Sequence, residues 1–315
     1  MKTYFCRKIV NLFLVLIGVS LISFTLSMLS PGDPAELILS QNGVTYPTYE
    51  QIQELREQLG LNRPYHIQYM DWLRNILQGD LGTTYMHGVP VIDELCKRFP
   101  VTAGLAIFSI LLASINGIFL GCISAVKSKG LPDMAIKTLT NVLFALPSFW
   151  IALIMIYVFS EKLKWLPTSN VGSFEHYIMP SVILSLGVTA TVCRMTNTAL
   201  LNEFSKEYFW LGKARGISSY KMIVCNALPN VMLPVIAAIG NSFGSVLGGA
   251  AIIESIFAIP GLGRFALEAI SMRDYPALQG YVIFSGVIYV TVTFFVDSII
   301  AFLNPKIRLD GLKNE

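Results

Sequence analysis

Charged residues are scarce in this chain. Only 14% of its 315 residues are Asp, Glu, Lys or Arg, whereas a soluble globular domain contains about 25%. The hydrophobic share is 54%, and it is concentrated in runs of about 20 residues, the length that a helix needs to cross a bilayer. The net charge of +3 is too small to indicate nucleic-acid binding. The composition therefore predicts a protein that crosses a lipid membrane several times.

The chain also lacks the motifs of catalytic and nucleotide-binding sites. It contains no GxxxxGK[ST] phosphate loop, no HExxH and no GxSxG. Its five cysteines have no CxxC spacing, which argues against a disulfide framework or a metal cluster. We therefore expect neither an enzyme nor a cofactor of its own. Three widely separated histidines, His66, His87 and His176, leave metal binding undetermined, since imidazole binds nickel, zinc and copper.

Six apolar blocks follow one another along the sequence. Each is long enough to span the hydrocarbon core as a helix. The first follows a basic start, as signal peptides do, but its length of about 20 residues exceeds that of a typical signal-peptide core. The pattern predicts an all-α membrane protein with six transmembrane helices. The approximate bounds of the blocks are 9–29, 101–126, 134–159, 177–201, 231–257 and 279–303.

The positions of lysine and arginine predict the orientation of these spans. Both residue types are concentrated near the termini, after the second block and between the fourth and fifth blocks. Because cytoplasmic loops are enriched in them, we expect both termini in the cytoplasm. In the segment after the first span, helices are expected at 49–59 and 65–77. The predicted regions are an N-terminal helix (1–30), an extracytoplasmic segment (31–100), a membrane domain (101–305) and a cytoplasmic tail (306–315).

Residues 203–230, here called the polar loop, form the longest polar interval in the second half of the chain. They are expected to form a helix, a break and a second helix. Gly216 suits the left-handed conformation that ends a helix, and Ser218 or Ser219 can cap the next one. Pro229 disfavours helical geometry in the residue before it, so the second helix is expected to end there. The four cations of the loop are Lys206, Lys213, Arg215 and Lys221.

Polar residues and prolines interrupt the apolar blocks. The polar ones are Asn116, Asn141, Asn197, Asn241, Glu254 and Asp297. Intramembrane ionisable residues usually face a protein interior or an aqueous path, whereas asparagines are expected to form hydrogen bonds between helices. Pro147 and Pro180 suit kinks. The candidates for lining an aqueous path are Asn141, Ser148, Asn241 and Glu254. The turn after Glu254 is a candidate outer gate, with Pro260, Gly261 and Gly263. The alternative for Glu254 is a structural pair with Arg264 or Arg273.

The polar loop resembles the EAA loop of permease subunits of ATP-binding-cassette importers. That pattern has a glycine after Glu-Ala-Ala, and a Leu-Pro pair twelve and thirteen residues beyond it, which Gly216, Leu228 and Pro229 match. Residues 210–212 read Trp-Leu-Gly where the family has Glu-Ala-Ala, so the acid is absent. Nearly the whole chain resembles the branch of this family that imports dipeptides, oligopeptides and nickel. The segments that carry this resemblance are SPGDPA, LGLNRPYHIQYMDWL, GDLGTTY, ALPSFWIAL, IIESIFAIPGLGRFALEAI, RDYPALQG and LNPKIR.

The resemblance implies a permease domain of six helices, with a small scoop-like outer segment after the first helix. It implies alternating access in a bacterial cytoplasmic (inner) membrane. The implied partners are a second homologous permease, two subunits that bind ATP and magnesium, and an extracytoplasmic substrate-binding protein. The residues expected to couple to the ATPase are Glu207, Lys213, Ala214, Arg215, Gly216, Ser218, Leu228 and Pro229. Either Glu207 substitutes for the missing acid, or Trp210 replaces its ionic contact by aromatic packing.

The substrate is left open between two classes. The segments LPDMAIK, FALPSFW and WLPTS look closer to members that import nickel or metal chelates. The alternative is a dipeptide or oligopeptide importer. A different class, an ATP-independent secondary carrier or channel, would usually show an inverted repeat, and no convincing internal repeat is visible. The sequence therefore predicts an ATP-driven importer permease for nickel chelates or short peptides.

Overall fold

The computed structural model describes residues 2–29, 33–41, 43–44, 46–168 and 172–303. Within these ranges the chain is almost entirely helical, and an isolated bridge joins Thr83 to Pro90. Two segments have π-helical geometry, Ile156–Lys162 and Ile223–Ala227. The α-helices are α1 (Lys2–Leu29), α2 (Pro34–Gln41), α3 (Tyr49–Gln58), α4 (Tyr65–Leu77), α5 (Val91–Val126), α6 (Leu131–Ala145), α7 (Ser148–Met155), α8 (Glu175–Phe204), α9 (Glu207–Ala214), α10 (Ser219–Met222), α11 (Leu228–Ile256), α12 (Leu262–Ser271) and α13 (Tyr275–Leu303).

Long apolar helices confirm the predicted all-α membrane fold. By length and composition, α5, α8, α13 and the continuous helical run Ser219–Ile256 can each cross a membrane. The pair α6 and α7 passes the same test only if its two bent halves count as one span, and α1 contributes the shorter apolar stretch Leu12–Thr25. All six predicted apolar blocks are thus helical. The count of six full spans and the cytoplasmic position of both termini remain predictions.

A sharp bend separates α6 from α7 within the span predicted over residues 134–159. The two helices meet at 98°. Pro147 places the preceding residue, Leu146, in an extended conformation with ψ 133°, because its ring disfavours the helical region there. Pro147 then serves as the N-cap of α7. Pro180 lies inside α8, and that helix continues through it. The same residue type therefore breaks one helix and is accommodated in another.

The compact unit that contains residues 101–263 is organised around α8. This helix packs against α6, α7 and α11, and its core contacts include the buried Val192 and Val235. Near the end of α5, the side-chain amide of Asn197 donates a 2.9 Å hydrogen bond to Ser124 Oγ. Ser124 in turn donates a 2.5 Å hydrogen bond to the buried carboxylate of Asp133. The predicted role of Asn197 as a group that joins helices is confirmed.

A second compact unit contains residues 5–100 and 264–288. The predicted outer helices at 49–59 and 65–77 are present as α3 and α4. Thr48 and Gln51 form a capping box at the start of α3, which explains where that helix begins. Phe24 of α1 packs edge-on against Tyr69 of α4, with ring centroids 5.4 Å apart. Aromatic packing therefore fixes α4 against the first helix.

Asp274 ties the start of α13 to the residues before α5. Its carboxylate accepts a 3.1 Å hydrogen bond from the backbone N–H of Ala277 and another of 3.1 Å from that of Met86. The side chain is almost fully buried, and burial raises the pKa of this carboxyl above its usual range. Two distant parts of the sequence are thereby held together within one unit.

Candidate functional site

The polar loop folds as a capped helix followed by a left-handed turn. The N–H of Gly216 bonds to the carbonyl of Lys213 at 3.0 Å, and that of Ile217 bonds to the carbonyl of Gly212 at 3.1 Å. These two bonds form a Schellman motif at the end of α9. Gly216 has φ 78°, so the predicted left-handed glycine is confirmed. The motif satisfies helix carbonyls and sets the angle at which the chain leaves α9.

The second half of the polar loop differs from its prediction. Ser218 is the cap of α10, where its hydroxyl accepts a 3.4 Å hydrogen bond from the N–H of Lys221. The helix does not end before Pro229 as predicted, because α10 passes through the π-helical segment Ile223–Ala227 directly into α11. Pro229 sits in the first turn of α11, where its missing N–H and fixed φ are tolerated. The second half of the polar loop and the following span therefore form one continuous helical run from Ser219 to Ile256.

A buried carboxylate joins the polar loop to both flanking helices. Glu203, at the end of α8, is only 7% exposed. It accepts a 2.5 Å hydrogen bond from the hydroxyl of Tyr208 and a 3.3 Å bond from the side-chain amide of Asn230. Lys206 forms an ion pair with it. Burial, reinforced by the bond to Glu203, raises the pKa of Tyr208 to about 12, so this hydroxyl keeps its proton and remains a donor at physiological pH.

The ends of α9 and α10 are also packed against each other. Met222 is buried, and a Cβ atom at Gly212 would lie 2.5 Å from its Sδ, closer than any real contact permits. The helix ends therefore approach so closely that a larger residue at position 212 would displace the Met222 side chain. Together with the Schellman motif, this contact makes α9 and α10 a fixed pair.

The outer surface of this pair is exposed and combines large aromatic side chains with cations. Trp210 is 64% exposed and Tyr220 is 77% exposed. The ammonium group of Lys213 lies 5.7 Å from the centroid of the Trp210 ring, which is within cation–π range. Of the residues predicted to couple to an ATPase, Leu228 is half-buried, and the others are exposed: Glu207, Lys213, Ala214, Arg215, Gly216, Ser218 and Pro229. The structure thus brings the predicted coupling residues to one solvent-facing segment.

Glu254 lies in a different environment from the one expected of a path-lining residue. It is fully buried within this chain. Thr102 of α5 donates a 2.6 Å hydrogen bond to its carboxylate, and the same hydroxyl accepts a 2.8 Å bond from the N–H of Leu262. A Cβ atom at Gly261 would overlap the carboxylate, so the turn can pass over Glu254 only with glycine there. This geometry favours the structural role of Glu254, and its path role remains a prediction.

The other residues of the predicted gate and path are dispersed. Pro260 is exposed, whereas Gly263 is buried against Ala251. Asn141 and Asn241 are exposed on the surface of the single chain. Ser148 alone of the path candidates lines a cavity of about 300 Å³ formed by the α6–α7 bend, α8 and α11. The structure therefore does not gather the four path candidates into one site within this chain.

Two groups with functional potential were missed by the sequence analysis. The network around Glu203 joins residues up to 27 positions apart, and no local pattern signals such a contact. Arg194 is a charged residue inside α8, and its guanidinium lies 4.8 Å from the ring centroid of Phe144. A charged residue within a transmembrane span indicates a functional site. Arg194 could therefore have been identified as a candidate from the sequence alone. Among the described residues no group of three or more His, Cys, Asp or Glu side chains could hold a metal ion.

Two relatives are similar to this chain over 98% of its length. The glutathione transport system permease protein GsiC of Escherichia coli (strain K12) is 34% identical over 308 residues, which is 98% of this chain and 99% of that protein. The protein of the same name from Salmonella typhi is 33% identical over the same length.

Solved structures share the fold at low sequence identity. The MetNI methionine ABC transporter in an inward-facing conformation aligns with a TM-score of 0.56 and 17% identity, covering 68% of this chain and 97% of that one. An amino acid ABC transporter solved with histidines aligns with a TM-score of 0.51 and 16% identity, covering 68% of this chain and 94% of that one.

Two family descriptions match consecutive parts of the sequence. Residues 1–106 match the N-terminal part of a binding-protein-dependent transport system membrane component. Residues 117–309, more than half of the chain, match the binding-protein-dependent transport system inner membrane component itself. The chain therefore belongs to the inner membrane permease components of binding-protein-dependent ABC importers.

Proposed function

We propose that this permease imports short peptides and is driven by separate ATP-binding subunits that dock on α9 and α10. The observation that carries the docking proposal is that two large aromatic side chains, Trp210 and Tyr220, are exposed on the packed helices α9 and α10. Large aromatic side chains on fixed elements are the residues that most often dominate protein interfaces. The chain has no phosphate loop, so ATP hydrolysis is assigned to its partners.

The missing acid of the EAA pattern is consistent with this mode of docking. Trp210 stands in that position, projects into solvent and lies within cation–π distance of Lys213. Glu207 is exposed one helical turn earlier, and residues three apart lie on neighbouring parts of a helix face. We infer that Trp210 packs into an apolar groove of the ATPase, with Glu207 and Lys213 at the polar rim.

One observation favours a short peptide as the substrate over a nickel complex. The proteins named as glutathione permeases match nearly the full chain, and glutathione is a tripeptide. A permease of this family works with an extracytoplasmic binding protein, and we propose that a second homologous permease completes the translocation path.

The proposal is tested by reconstituting the permease with its ATP-binding subunits and binding protein in proteoliposomes. Uptake and ATP hydrolysis are measured with glutathione, dialanine and a nickel–histidine complex. We expect both peptides, and not the nickel complex, to stimulate ATP hydrolysis and to accumulate. Uptake of the nickel complex alone would overturn the peptide proposal, and uptake without ATP would place the protein among secondary carriers.

Docking is tested separately with a double variant, Trp210→Ala and Tyr220→Ala. It is expected to insert into the membrane normally but to lose the copurifying ATP-binding subunits. Tyr46→Ala is the matched control, because Tyr46 is 90% exposed but lies in the predicted outer segment. Retention of the ATP-binding subunits by the double variant would contradict the docking surface.

A further inference from the structure

An open cleft lies in the unit that contains the predicted outer segment. Its volume is about 810 Å³, within the range of about 300–1,000 Å³ that is typical of small-molecule sites. The walls come from α1, from the α3–α4 turn with α4, from residues 80–85 and from the first two turns of α13. All of these residues belong to one compact unit, so the cleft is formed by this chain alone.

The cleft carries charges of both signs. Arg56 pairs with Asp33 at 2.7 Å, and Arg63 pairs with Asp71 at 3.0 Å. Asp80 adds a further carboxylate, one oxygen of which accepts the N–H of Gly82. Each pair uses a single guanidinium nitrogen, so donors remain on both arginines and acceptors remain on the carboxylates. A zwitterion therefore finds partners for both of its ends.

Two polar groups of α13 line the same cleft. Tyr275 and Gln279, one helical turn apart, are each only 7% exposed. The buried hydroxyl of Tyr275 has no hydrogen-bond partner among the described residues. A buried polar group without a partner is destabilising, and a ligand that bonds to it relieves this penalty. A primary amide can both donate to and accept from a peptide group.

The remaining surface of the cleft is aromatic. Trp72 and Phe24 form part of its wall, with ring centroids 5.7 Å apart, and Tyr65 and Tyr85 contribute further rings. Such rings supply apolar contact area for side chains. Three aspartates against two arginines disfavour a phosphate-bearing ligand, and the charges disfavour a lipid chain. Charged ends, an internal amide and apolar side chains are together the chemistry of a short peptide.

The geometry thus points to a peptide-binding site in this cleft that holds two- or three-residue zwitterionic peptides through Gln279, Arg63 and the Trp72 wall. The choice of peptide as the ligand rests in part on the proposed function. The site would retain peptide next to the membrane during the interval between its release from the binding protein and the opening of the path.

The test measures equilibrium binding to the assembled transporter in lipid nanodiscs, without ATP and without binding protein. The probe is tritiated trialanine in a scintillation proximity assay, with competition by unlabelled trialanine, by trialanine blocked at both termini, by maltotriose and by a nickel–histidine complex. We expect saturable binding that only unlabelled trialanine competes efficiently. Equal competition by the blocked peptide or by maltotriose would overturn the proposal.

Variants locate the bound probe. Gln279→Leu and Arg63→Ala are each expected to weaken binding at least tenfold. Their matched controls are Gln53→Leu and Arg74→Ala, which lie outside the cleft wall and are expected to bind as the unmodified protein does. Arg63 is 62% exposed, so its replacement does not threaten folding even if Gln279→Leu does. Unchanged binding by Arg63→Ala in a folded transporter would overturn the site.

Peptide uptake driven by ATP is measured on the same preparations. Normal peptide uptake without any cleft binding would overturn the cleft site and leave the proposed function standing. Cleft binding in a transporter that imports only the nickel complex would overturn the proposed substrate and leave the cleft site standing.

Discussion

At the scale of single residues, two glycines that flank the same helical run, Gly216 and Gly261, are required for different reasons. Gly216 is required by its backbone, since φ 78° is rarely adopted by other residues. No atom lies within 4 Å of a Cβ placed there, so crowding plays no part. Gly261 is required by a neighbour instead, because its missing side chain leaves room for the Glu254 carboxylate. One glycine shapes an exposed turn, and the other permits a buried contact.

Replacing Gly216 tests whether this turn transmits force. Gly216→Val forces a β-branched residue into the left-handed region at a cost on the order of 1–2 kcal/mol, which opens the angle between α9 and α10. We expect substrate-stimulated ATP hydrolysis in proteoliposomes to fall roughly tenfold, with normal membrane insertion. Gly216→Asn is the control, because asparagine tolerates this conformation and should retain most activity. Normal transport by the valine variant would show that the angle does not matter.

At the scale of secondary-structure elements, the network around Glu203 is the junction of α8, α9 and α11. Its members come from the end of α8, from the first turn of α9 and from the first turn of α11. A displacement of α9 is therefore passed to two spans at once. The buried carboxylate of Glu203 needs these donors, since a buried charge is stable only when it is hydrogen-bonded.

Removing one hydroxyl from this junction should loosen it. Tyr208→Phe deletes a hydrogen bond to a charged group, worth about 1.5–3 kcal/mol, and leaves the aromatic packing in place. We expect a lower thermal unfolding temperature in nanodiscs and ATP hydrolysis that depends less on substrate. The control is Tyr49→Phe, which removes a hydroxyl from a residue of α3 that is 76% exposed. Equal behaviour of the two variants would remove Tyr208 from the coupling route.

The helices also show how much of the fold could be predicted from the sequence. Helices α3 and α4 were predicted to within about one residue, since their caps and apolar stripes are local signals. The polar loop was correct up to Ser218 and wrong beyond it, because the rule that proline ends a helix does not cover Pro229 in a first turn. The 98° bend and the Glu203 network depend on packing between distant segments. For the same reason Glu254 could be identified as unusual but not placed against Thr102.

At the scale of the whole molecule, two exposed cysteines lie in segments predicted to be on opposite sides of the membrane. Cys96 is near the start of α5, and Cys225 is in the π-helical segment of the polar loop. In a variant that lacks the other three cysteines, a membrane-impermeant maleimide should label Cys96 in intact cells. Cys225 should be labelled only after permeabilisation. Labelling of Cys225 from outside would reverse the predicted orientation.

The continuous run Ser219–Ile256 has a mechanical consequence. With 38 residues and a rise of 1.5 Å per residue, it is roughly 57 Å long. The proposed docking surface is at one end of this helical run, and the carboxylate of Glu254 is near the other. Because the run is this long, a tilt of about 10° about its Tyr220 end would displace its Glu254 end by about 10 Å. Small movements of a docked motor would therefore reach the far side of the bilayer without passing through any intervening loop.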